Sequence, residues 1–280
     1  MSWTSVVGRV AFTNCDPLFH GLDDRWSVLS APPAWLTGHV LRKDCLTAPI
    51  PTADFAKHSD QLMLLPDLGI VAMGAVGSVI LFGSRDIDQM RDIALPSDSS
   101  TSKVLLRWLL KHRGLDPKCV ETGPDLNSML ELCDGALLIG DRALAAASQY
   151  PELVSLDLGG EWTKVTGLPM VFGVFACRKD APLVQITEIH NELIQNYQAF
   201  NTDSNWKKEV IESSSQQTGI DKNRMEYYFD NEVRNTLDAN STEGLLLFLK
   251  EVCKLDEEPV WAKIERLFRI IQAFTCHPFQ

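Results

Sequence analysis

The sequence predicts an α/β fold of two lobes with a ligand cleft between them. Short apolar runs alternate with helical patterns through the first 176 residues, and the connections between them are short. This alternation is typical of sheets covered by helices. It falls into two blocks that meet near Gly83–Ser84, and an apolar run at 171–176 could carry the chain back to the first block. We therefore expect lobe I to comprise residues 1–83 and 177–280, and lobe II residues 84–176.

In the first block, apolar runs of strand length end at proline, glycine or small polar residues, which favour turns. The predicted elements, in order, are a strand at Val6–Phe12, a turn at Asn14–Pro17, a helix at Pro33–Leu41, a strand that ends near Ile50, a helix that begins after Pro51–Thr52, and strands at 62–65 and 78–82.

The second block repeats this pattern, and the chain after Pro182 is predicted to be helical. The elements of the second block, in order, are a strand at Arg91–Pro96, a helix at Lys103–His112, a strand in PKCVETG, a helix in LNSMLEL, a strand at Gly135–Ile139, a turn at Gly140–Asp141 followed by a helix, a polar segment in EWTKVTG and a strand at Met170–Cys177. The last predicted element is an amphipathic helix whose apolar face carries Trp261, Ile264, Leu267, Phe268 and Ile271.

Composition excludes several classes of function. The net charge is −11 and no basic stripe is present, which argues against a nucleic-acid partner. The longest apolar stretch, Gly69 to Gly83, is interrupted by glycines and is too short to cross a membrane. The seven cysteines and six histidines lack the spacing of a disulfide framework or a zinc site. For this reason we expect no metal. The N-terminus shows no basic region followed by a long apolar core, so we expect a cytoplasmic protein.

Four consecutive hydroxyl side chains, Ser99, Ser100, Thr101 and Ser102, follow the strand that ends at Pro96. One hydroxyl is enough to cap a helix. The cluster therefore has two interpretations: a solvated helix start, or a site where hydroxyls and helix N–H groups bind an anion. Ligands of α/β proteins bind at the carboxyl ends of strands, which favours the anion site.

Small residues also lie at the ends of the other predicted strands, and these are Asn14, Thr52, Gly77, Ser78, Gly140 and Asp141. Each is explained individually as a turn former or, for Asp141, as a helix N-cap. Their recurrence at strand ends instead predicts a shared cleft. The sequence contains no nucleophile motif, no phosphate-binding loop and no GxGxxG dinucleotide motif.

Six segments, taken in order, resemble the chorismate dehydratase family: VAFTNCDPLFHGL, PPAWLTGHV, IPTADFAKHSDQLMLLPDLGIVAMGAVGSVILFG, SSTSKVLLRWLL, ALLIGDRAL and LGGEWTKVTGLPMVFGVFACR. The resemblance runs from Val7 to Arg178 and more loosely through the C-terminal helices. It implies a type II periplasmic-binding-protein-like fold. It also implies that chorismate loses water in menaquinone biosynthesis without a metal or an organic cofactor.

The resemblance implies roles for individual residues. Asn14 matches the family's catalytic asparagine, and Ser99–Ser102 match its carboxylate-binding segment. The remaining strand-end residues, Thr52, Gly77, Ser78, Gly140 and Asp141, are expected to complete the substrate site. The sequence departs from the family in two places: Pro51–Thr52 stands where Ser-Ser is frequent, and Asp16 stands where a bulky apolar residue is frequent. Asp16 would place a further negative charge near an anionic ligand.

Three alternatives remain open at this point. The chain could be a non-catalytic solute-binding protein for a small carboxylate, the related enzyme that cleaves cyclic dehypoxanthinyl futalosine, or a ligand-sensing domain of a regulator. The NCDPLF and GDRAL segments favour the dehydratase over the related enzyme. A solute-binding protein would be exported, and a sensing domain normally follows a helix-turn-helix. We expect no membrane partner. The sequence is compatible with a homodimer.

Overall fold

The computed structural model describes residues 2–264, which form two β-sheets flanked by helices. The strands are β1 (Val6–Val10), β2 (Ser27–Ala31), β3 (Thr47–Pro51), β4 (Leu62–Ala72), β5 (Val79–Gly83), β6 (Asp92–Pro96), β7 (Lys118–Thr122), β8 (Gly135–Ile139), β9 (Val154–Asp157), β10 (Met170–Arg178) and β11 (Arg234–Leu237). The helices are α1 (Asp16–Phe19), α2 (Pro33–Leu41), α3 (Thr52–Lys57), α4 (Thr101–His112), α5 (Leu126–Leu132), α6 (Gly140–Gln149), α7 (Leu158–Thr166), α8 (Leu183–Thr202), α9 (Ser204–Thr218), α10 (Lys222–Tyr227) and α11 (Ala239–Glu251).

The first sheet has six strands in the order β11-β4-β10-β3-β1-β2. Strand β1 pairs in parallel with β2 and β3, whereas β10 runs antiparallel to β3 and β4. The central strands β3 and β10 are buried along almost their whole length, because helices and neighbouring elements cover both faces of the sheet. We call this sheet and the helices packed on it lobe I.

The second sheet has five strands in the order β7-β6-β8-β5-β9. Strand β6 pairs in parallel with β7 and β8, and β5 runs antiparallel to β8 and β9. This sheet and helices α4 to α7 form lobe II. The predicted α/β class with two lobes is confirmed.

The lobe boundaries drawn from the sequence separate two strands from the sheets they pair with. Strand β5 was assigned to lobe I but belongs to the second sheet, and β10 was assigned to lobe II but lies between β3 and β4. The two sheets are joined by residues 73–78 and again by residues 167–169. We propose that the chain crosses between the lobes there, rather than at Gly83–Ser84 and after Ala176.

Two segments differ from the sequence prediction because tertiary contacts override a weak local signal. Strand β4 does not stop at Leu65: Pro66 and Asp67 form an irregularity, with Asp67 at a positive φ of 64°, and pairing with β10 continues beyond a register shift. Helix α7 occupies the segment that was predicted to be only polar. Asp157 caps it and the side chain of Trp162 is fully buried, which offsets the weak helix propensity of its two glycines.

The chain after Pro182 was predicted to be helical, but the structure shows that it is not helical throughout. Strand β11 adds to the edge of the first sheet beside β4. Among the final described residues, Trp261 forms an isolated β-bridge with Leu64, and residues 262–264 have no regular secondary structure. The predicted terminal helix is therefore wrong for Trp261 and Ile264. The rest of its apolar face, Leu267, Phe268 and Ile271, lies outside the described residues. The edge strands β2 and β9 were not predicted from the sequence.

Among residues 2–264, no helix combines the length and apolar character needed to cross a membrane. In the same part of the chain, no three His, Cys, Asp or Glu side chains converge as a metal ion would require.

The first crossing between the lobes is anchored by Asp157. Its carboxylate caps α7 by accepting the Gly160 N–H (2.9 Å), and it also accepts the N–H groups of Val76 (3.0 Å) and Gly77 (2.8 Å). One side chain therefore accepts hydrogen bonds both from the first turn of a helix and from the backbone of the crossing segment.

Replacing Asp157 by alanine should lower the free energy of unfolding by about 2–4 kcal/mol. Loss of the cap accounts for about 1 kcal/mol, and the two further N–H groups left without an acceptor account for the rest. The matched control is Asp125→Ala, which removes a cap that bonds only Ser128 and should cost about 1 kcal/mol. Urea denaturation of both variants measures the difference, and equal losses would show that Asp157 only caps α7.

Candidate functional site

A cavity lies between the two sheets, at the carboxyl ends of four strands. Strands β1 and β3 of lobe I and β6 and β8 of lobe II each contribute lining residues at their ends or just beyond them. The empty volume, which includes space open to solvent, is about 540 Å³. The nonpolar part of the wall consists of Val10, Phe12, Pro33, Pro49, Ile50, Pro51, Ile70, Val76, Val79, Ile139, Phe172 and Gly173.

Most of the strand-end residues singled out from the sequence meet in this cavity. Those that line it are Asn14, Ser78, Ser99, Ser100, Thr101, Ser102 and Gly140. They come from both lobes and from the first crossing, so the cavity is complete only when the lobes are together. Three other candidates, Thr52, Gly77 and Asp141, lie beside the cavity without lining it.

Thr52 and Gly77 are committed to the fold. The Thr52 side chain is fully buried and its hydroxyl donates to the Val171 carbonyl (2.7 Å). Gly77 has φ +64°, and a Cβ there would lie 2.2 Å from a Glu232 carboxylate oxygen. Its N–H is one of the three that donate to Asp157. Gly77 therefore shapes the turn that presents Ser78, and a direct role in ligand contact is not supported for either residue.

Asp141 reaches across the cleft to the turn that contains Asn14. Its carboxylate accepts the Thr13 hydroxyl (2.6 Å) and the Thr13 N–H (3.2 Å). Burial raises the pKa of Asp141, and the two hydrogen bonds from Thr13 oppose that shift. The residue predicted to touch substrate instead holds the neighbouring segment. Gly140, predicted to be a turn, is the first residue of α6.

Asn14 lies in a short 3-10 turn, Thr13–Cys15, because β1 ends at Val10 and not at Phe12. The residue is 9% exposed, and its Oδ1 has no hydrogen-bond partner among the described residues. A buried polar atom without a partner is costly, so this oxygen marks a place where a ligand would donate a hydrogen bond. The Asn235 amide holds the turn by donating to the Asn14 carbonyl (3.0 Å).

The hydroxyl cluster divides into two pairs. Helix α4 begins at Thr101, two residues before the predicted start, so Ser99 and Ser100 precede the helix and Thr101 and Ser102 are its first two residues. The Ser100 hydroxyl donates to Asp54 (2.9 Å), and the Thr101 hydroxyl accepts the Ala53 N–H (3.2 Å). The Ser99 and Ser102 hydroxyls bond no described residue, although both residues are buried.

The free hydroxyls of Ser99 and Ser102 lie at the positive end of the α4 dipole. In addition, Ser100 at the N-cap position makes no capping hydrogen bond with its side chain. First-turn N–H groups of α4 therefore remain available beside two free hydroxyls. This combination suits a carboxylate.

The C-terminal part of the chain packs against residues that line the cavity, and this contact was not predicted from the sequence. Tyr228 is 1% exposed and its hydroxyl donates to the Ser78 hydroxyl (3.0 Å). The Ser78 carbonyl accepts the Gly140 N–H (2.7 Å). Ser78 is thus fixed by a distant helix and by lobe II. No local pattern around Tyr228 or Asn235 signals these contacts.

The described lining of the cavity contains no ionisable side chain. Cys15, next to Asn14, is fully buried, and burial raises its pKa to about 12, so it stays a thiol. Asp16, the negative charge that departs from the family pattern, turns away and pairs with Arg9 and with the Ser214 hydroxyl (2.5 Å). It lines a separate surface cavity, with Arg9 and His20. The cavity between the lobes therefore offers neutral hydrogen-bond groups and apolar walls.

The lobes meet closely at Gly140. Its φ is +63°, and a Cβ at this position would lie 2.5 Å from the Phe12 ring. The Arg142 guanidinium lies 5.3 Å from the centre of the same ring. Only glycine allows this approach of lobe II to lobe I.

Three comparisons relate this chain to known proteins. A family model described as menaquinone biosynthesis matches residues 5–254. A chorismate dehydratase of Thermus thermophilus is 31% identical over 264 residues, which are 87% of this chain and 93% of that protein.

Solved structures show the fold. A crystal structure of an Archaeoglobus fulgidus protein matches with a TM-score of 0.69 at 20% identity, covering 89% of this chain and 96% of that one. A Candida albicans protein described as having the generic periplasmic binding protein structural fold matches with a TM-score of 0.61 at 14% identity, covering 94% and 98%. The predicted periplasmic-binding-protein-like fold is confirmed.

The substitution Gly140→Ala should destabilise the protein by about 1–3 kcal/mol more than Gly114→Ala. Both glycines have positive φ, so both variants carry similar backbone strain, but a Cβ at Gly114 meets no atom within 4 Å. The additional loss at Gly140 comes from overpacking against Phe12. Chemical denaturation of the two variants measures it. Equal losses would contradict the close approach of the lobes at this point.

Proposed function

This chain belongs to the menaquinone biosynthesis family, and we propose that it is a chorismate dehydratase, a hydro-lyase that converts chorismate to 3-(1-carboxyvinyloxy)benzoate and water. The observation that carries the proposal is the composition of the cavity between the lobes. Its described lining joins an unpaired asparagine oxygen to two unpaired hydroxyls, with no ionisable side chain. Such a site binds and orients a polar ring compound and leaves the proton transfer to the substrate.

The chemistry of chorismate fits a site of this kind. The C3 proton is acidic through the ring diene, which ends at the ring carboxylate. Its removal gives a dienolate, and the C4–O bond then breaks so that the ring becomes aromatic. The proton and the departing hydroxide together form the water. Aromatisation drives the reaction, so the protein must mainly orient the ring and stabilise the charge that spreads onto the ring carboxylate.

We assign the ring carboxylate to the start of α4. The Ser99 and Ser102 hydroxyls and the first-turn N–H groups are neutral donors, and they gain strength as negative charge accumulates on the carboxylate. All four hydroxyls were expected from the sequence to share this role. The bonds of Ser100 to Asp54 and of Thr101 to Ala53 favour a division of roles, in which those two secure the turn.

We assign the leaving group to Asn14. Its unpaired Oδ1 would accept a hydrogen bond from the C4 hydroxyl, and its amide N–H₂ would donate to the oxygen as the C–O bond breaks. An amide has no useful proton affinity near neutrality, so Asn14 is not the base. Since the described cavity lining offers no other base, we infer that a carboxylate of the substrate takes the C3 proton.

The remaining expectations fit this reading. The six described cysteines are all free thiols, which supports a reducing compartment and hence the cytoplasm. The homodimer stays a prediction, which light scattering at micromolar concentration decides. A solute-binding protein of the same fold would bind chorismate without converting it, and the enzyme that cleaves cyclic dehypoxanthinyl futalosine would leave chorismate intact.

Purified protein incubated with chorismate should release the aromatic ether, 18 mass units below the substrate because one water is lost, without added metal. Asn14→Ala should lower kcat by about 100-fold or more, a loss typical of a group that stabilises the transition state. Asn201→Ala, an exposed asparagine bonded only to the Tyr197 carbonyl, should remain fully active. Failure of the wild-type protein to convert chorismate would refute the proposed function. Full activity of a folded Asn14→Ala variant would refute the role of Asn14.

Ser99→Ala and Ser102→Ala should each weaken binding of the product by roughly tenfold, because each removes a hydrogen bond to a charged group. Ser148→Ala is the matched control, since the Ser148 hydroxyl bonds the Leu144 carbonyl within α6, away from the cavity. Calorimetric titration with 3-(1-carboxyvinyloxy)benzoate measures the affinities. Unchanged affinity in both cavity variants would move the carboxylate to another part of the wall.

A further inference from the structure

Two aspartates form hydrogen bonds across the cleft, in opposite directions. Asp141 of lobe II accepts both the hydroxyl (2.6 Å) and the N–H (3.2 Å) of Thr13 in lobe I. Thr13 is fully buried and directly precedes Asn14. We call this pair the Asp141 clasp. Its donors belong to one short turn and its acceptor belongs to the start of α6, so it forms only when the lobes meet.

The second pair runs the other way. Asp54 of lobe I accepts the Ser100 hydroxyl of lobe II (2.9 Å), and the neighbouring Ala53 N–H donates to the Thr101 hydroxyl (3.2 Å). Within lobe I, Thr37 (3.3 Å) and Lys57 (3.1 Å) hold the same carboxylate in place. We call the Asp54–Ser100 pair the Asp54 clasp. It joins the first turns of α3 and α4.

Each clasp secures the backbone beside a group that the cavity exposes to a ligand. The Asp141 clasp holds the residue before Asn14, and the Asp54 clasp holds the residue between Ser99 and Thr101. Neither Asp54 nor Asp141 lines the cavity. In an open form, water would replace these bonds and both segments would lose their fixed positions.

We propose that Asp54 and Asp141 are positioning residues that couple closure of the lobes to assembly of the reacting site. This inference rests on the proposed dehydration of chorismate and adds two residues to it that act through their neighbours. The two clasps have different effects. The Asp141 clasp orients Asn14, which acts on the departing hydroxyl, and therefore affects kcat. The Asp54 clasp orients the carboxylate-binding turn and therefore affects KM.

Steady-state kinetics with chorismate test this division. Asp141→Asn keeps the size of the side chain but places an amide donor against the Thr13 donors. It should lower kcat by about tenfold or more and change KM by less than about threefold. Asp54→Asn should raise KM by about tenfold and change kcat by less than about threefold. Asp134→Asn, which loses ion pairs within lobe II only, should change neither constant.

Conservative variants separate positioning from general destabilisation. Thr13→Ser keeps the hydroxyl and should retain nearly wild-type kcat, whereas Thr13→Val loses the donor and should behave like Asp141→Asn. The double variant Thr13→Val, Asp141→Asn should be no worse than Asp141→Asn alone, because both changes break one clasp. A kcat unchanged in Asp141→Asn, or equal losses in Thr13→Ser and Thr13→Val, would overturn the proposal.

Hydrogen exchange distinguishes a failure of this inference from a failure of the proposed function. In Asp141→Asn, the peptide that contains Thr13 should exchange faster than in the wild-type protein, while peptides of β6 and α5 exchange at unchanged rates. This measurement needs no turnover. If the wild-type protein does not dehydrate chorismate, the proposed function fails. If exchange at Thr13 is also unchanged, the Asp141 clasp fails with it.

Discussion

Buried polar groups need partners, and this requirement organises the cleft. Closing two lobes over a cavity removes water from backbone N–H groups and hydroxyls, each of which is costly to leave unpaired. Carboxylates accept hydrogen bonds from many of these groups. Asp157 accepts from the N–H groups of the first crossing, Asp141 accepts from Thr13, and Asp54 accepts from Ser100. In the described lining of the cavity, the Oδ1 of Asn14 is buried without a partner, and the hydroxyls of Ser99 and Ser102 bond no described residue.

The strand ends could be predicted from the sequence because that signal is local. Small polar residues at the ends of apolar runs placed Asn14, Ser78 and Ser99–Ser102 around one shared cleft, and these residues line the cavity between the lobes. The division of roles within the hydroxyl cluster could not be predicted. It depends on partners far away in the chain: Asp54 lies 46 residues from Ser100, and Asp141 lies 128 residues from Thr13. The partner of Thr52 is also far away in the chain, since its hydroxyl donates to the Val171 carbonyl.

The fold itself was predictable where apolar segments are bounded by proline, glycine or small polar residues. Helices α2 and α6 and strands β3, β6 and β8 follow their sequence patterns closely. The misses are elements that neighbours stabilise. Strand β11 is short, polar and held by the edge of β4, and helix α7 contains two glycines but buries Trp162. Strands β5 and β10 lie in sheets other than those expected from the sequence. Pairing between strands that are far apart in the chain decides which sheet each one joins.

The neutral lining of the cavity has a kinetic consequence for a dianionic ligand. The chain carries a net charge of −11, and the described cavity wall offers no cationic side chain to offset it. Long-range repulsion therefore slows the encounter with chorismate, and the same repulsion hastens departure of the doubly charged product. Dissolved salt screens both effects over about 10 Å at 0.1 M, so the capture rate rises with ionic strength, opposite to enzymes that steer anions with basic clefts.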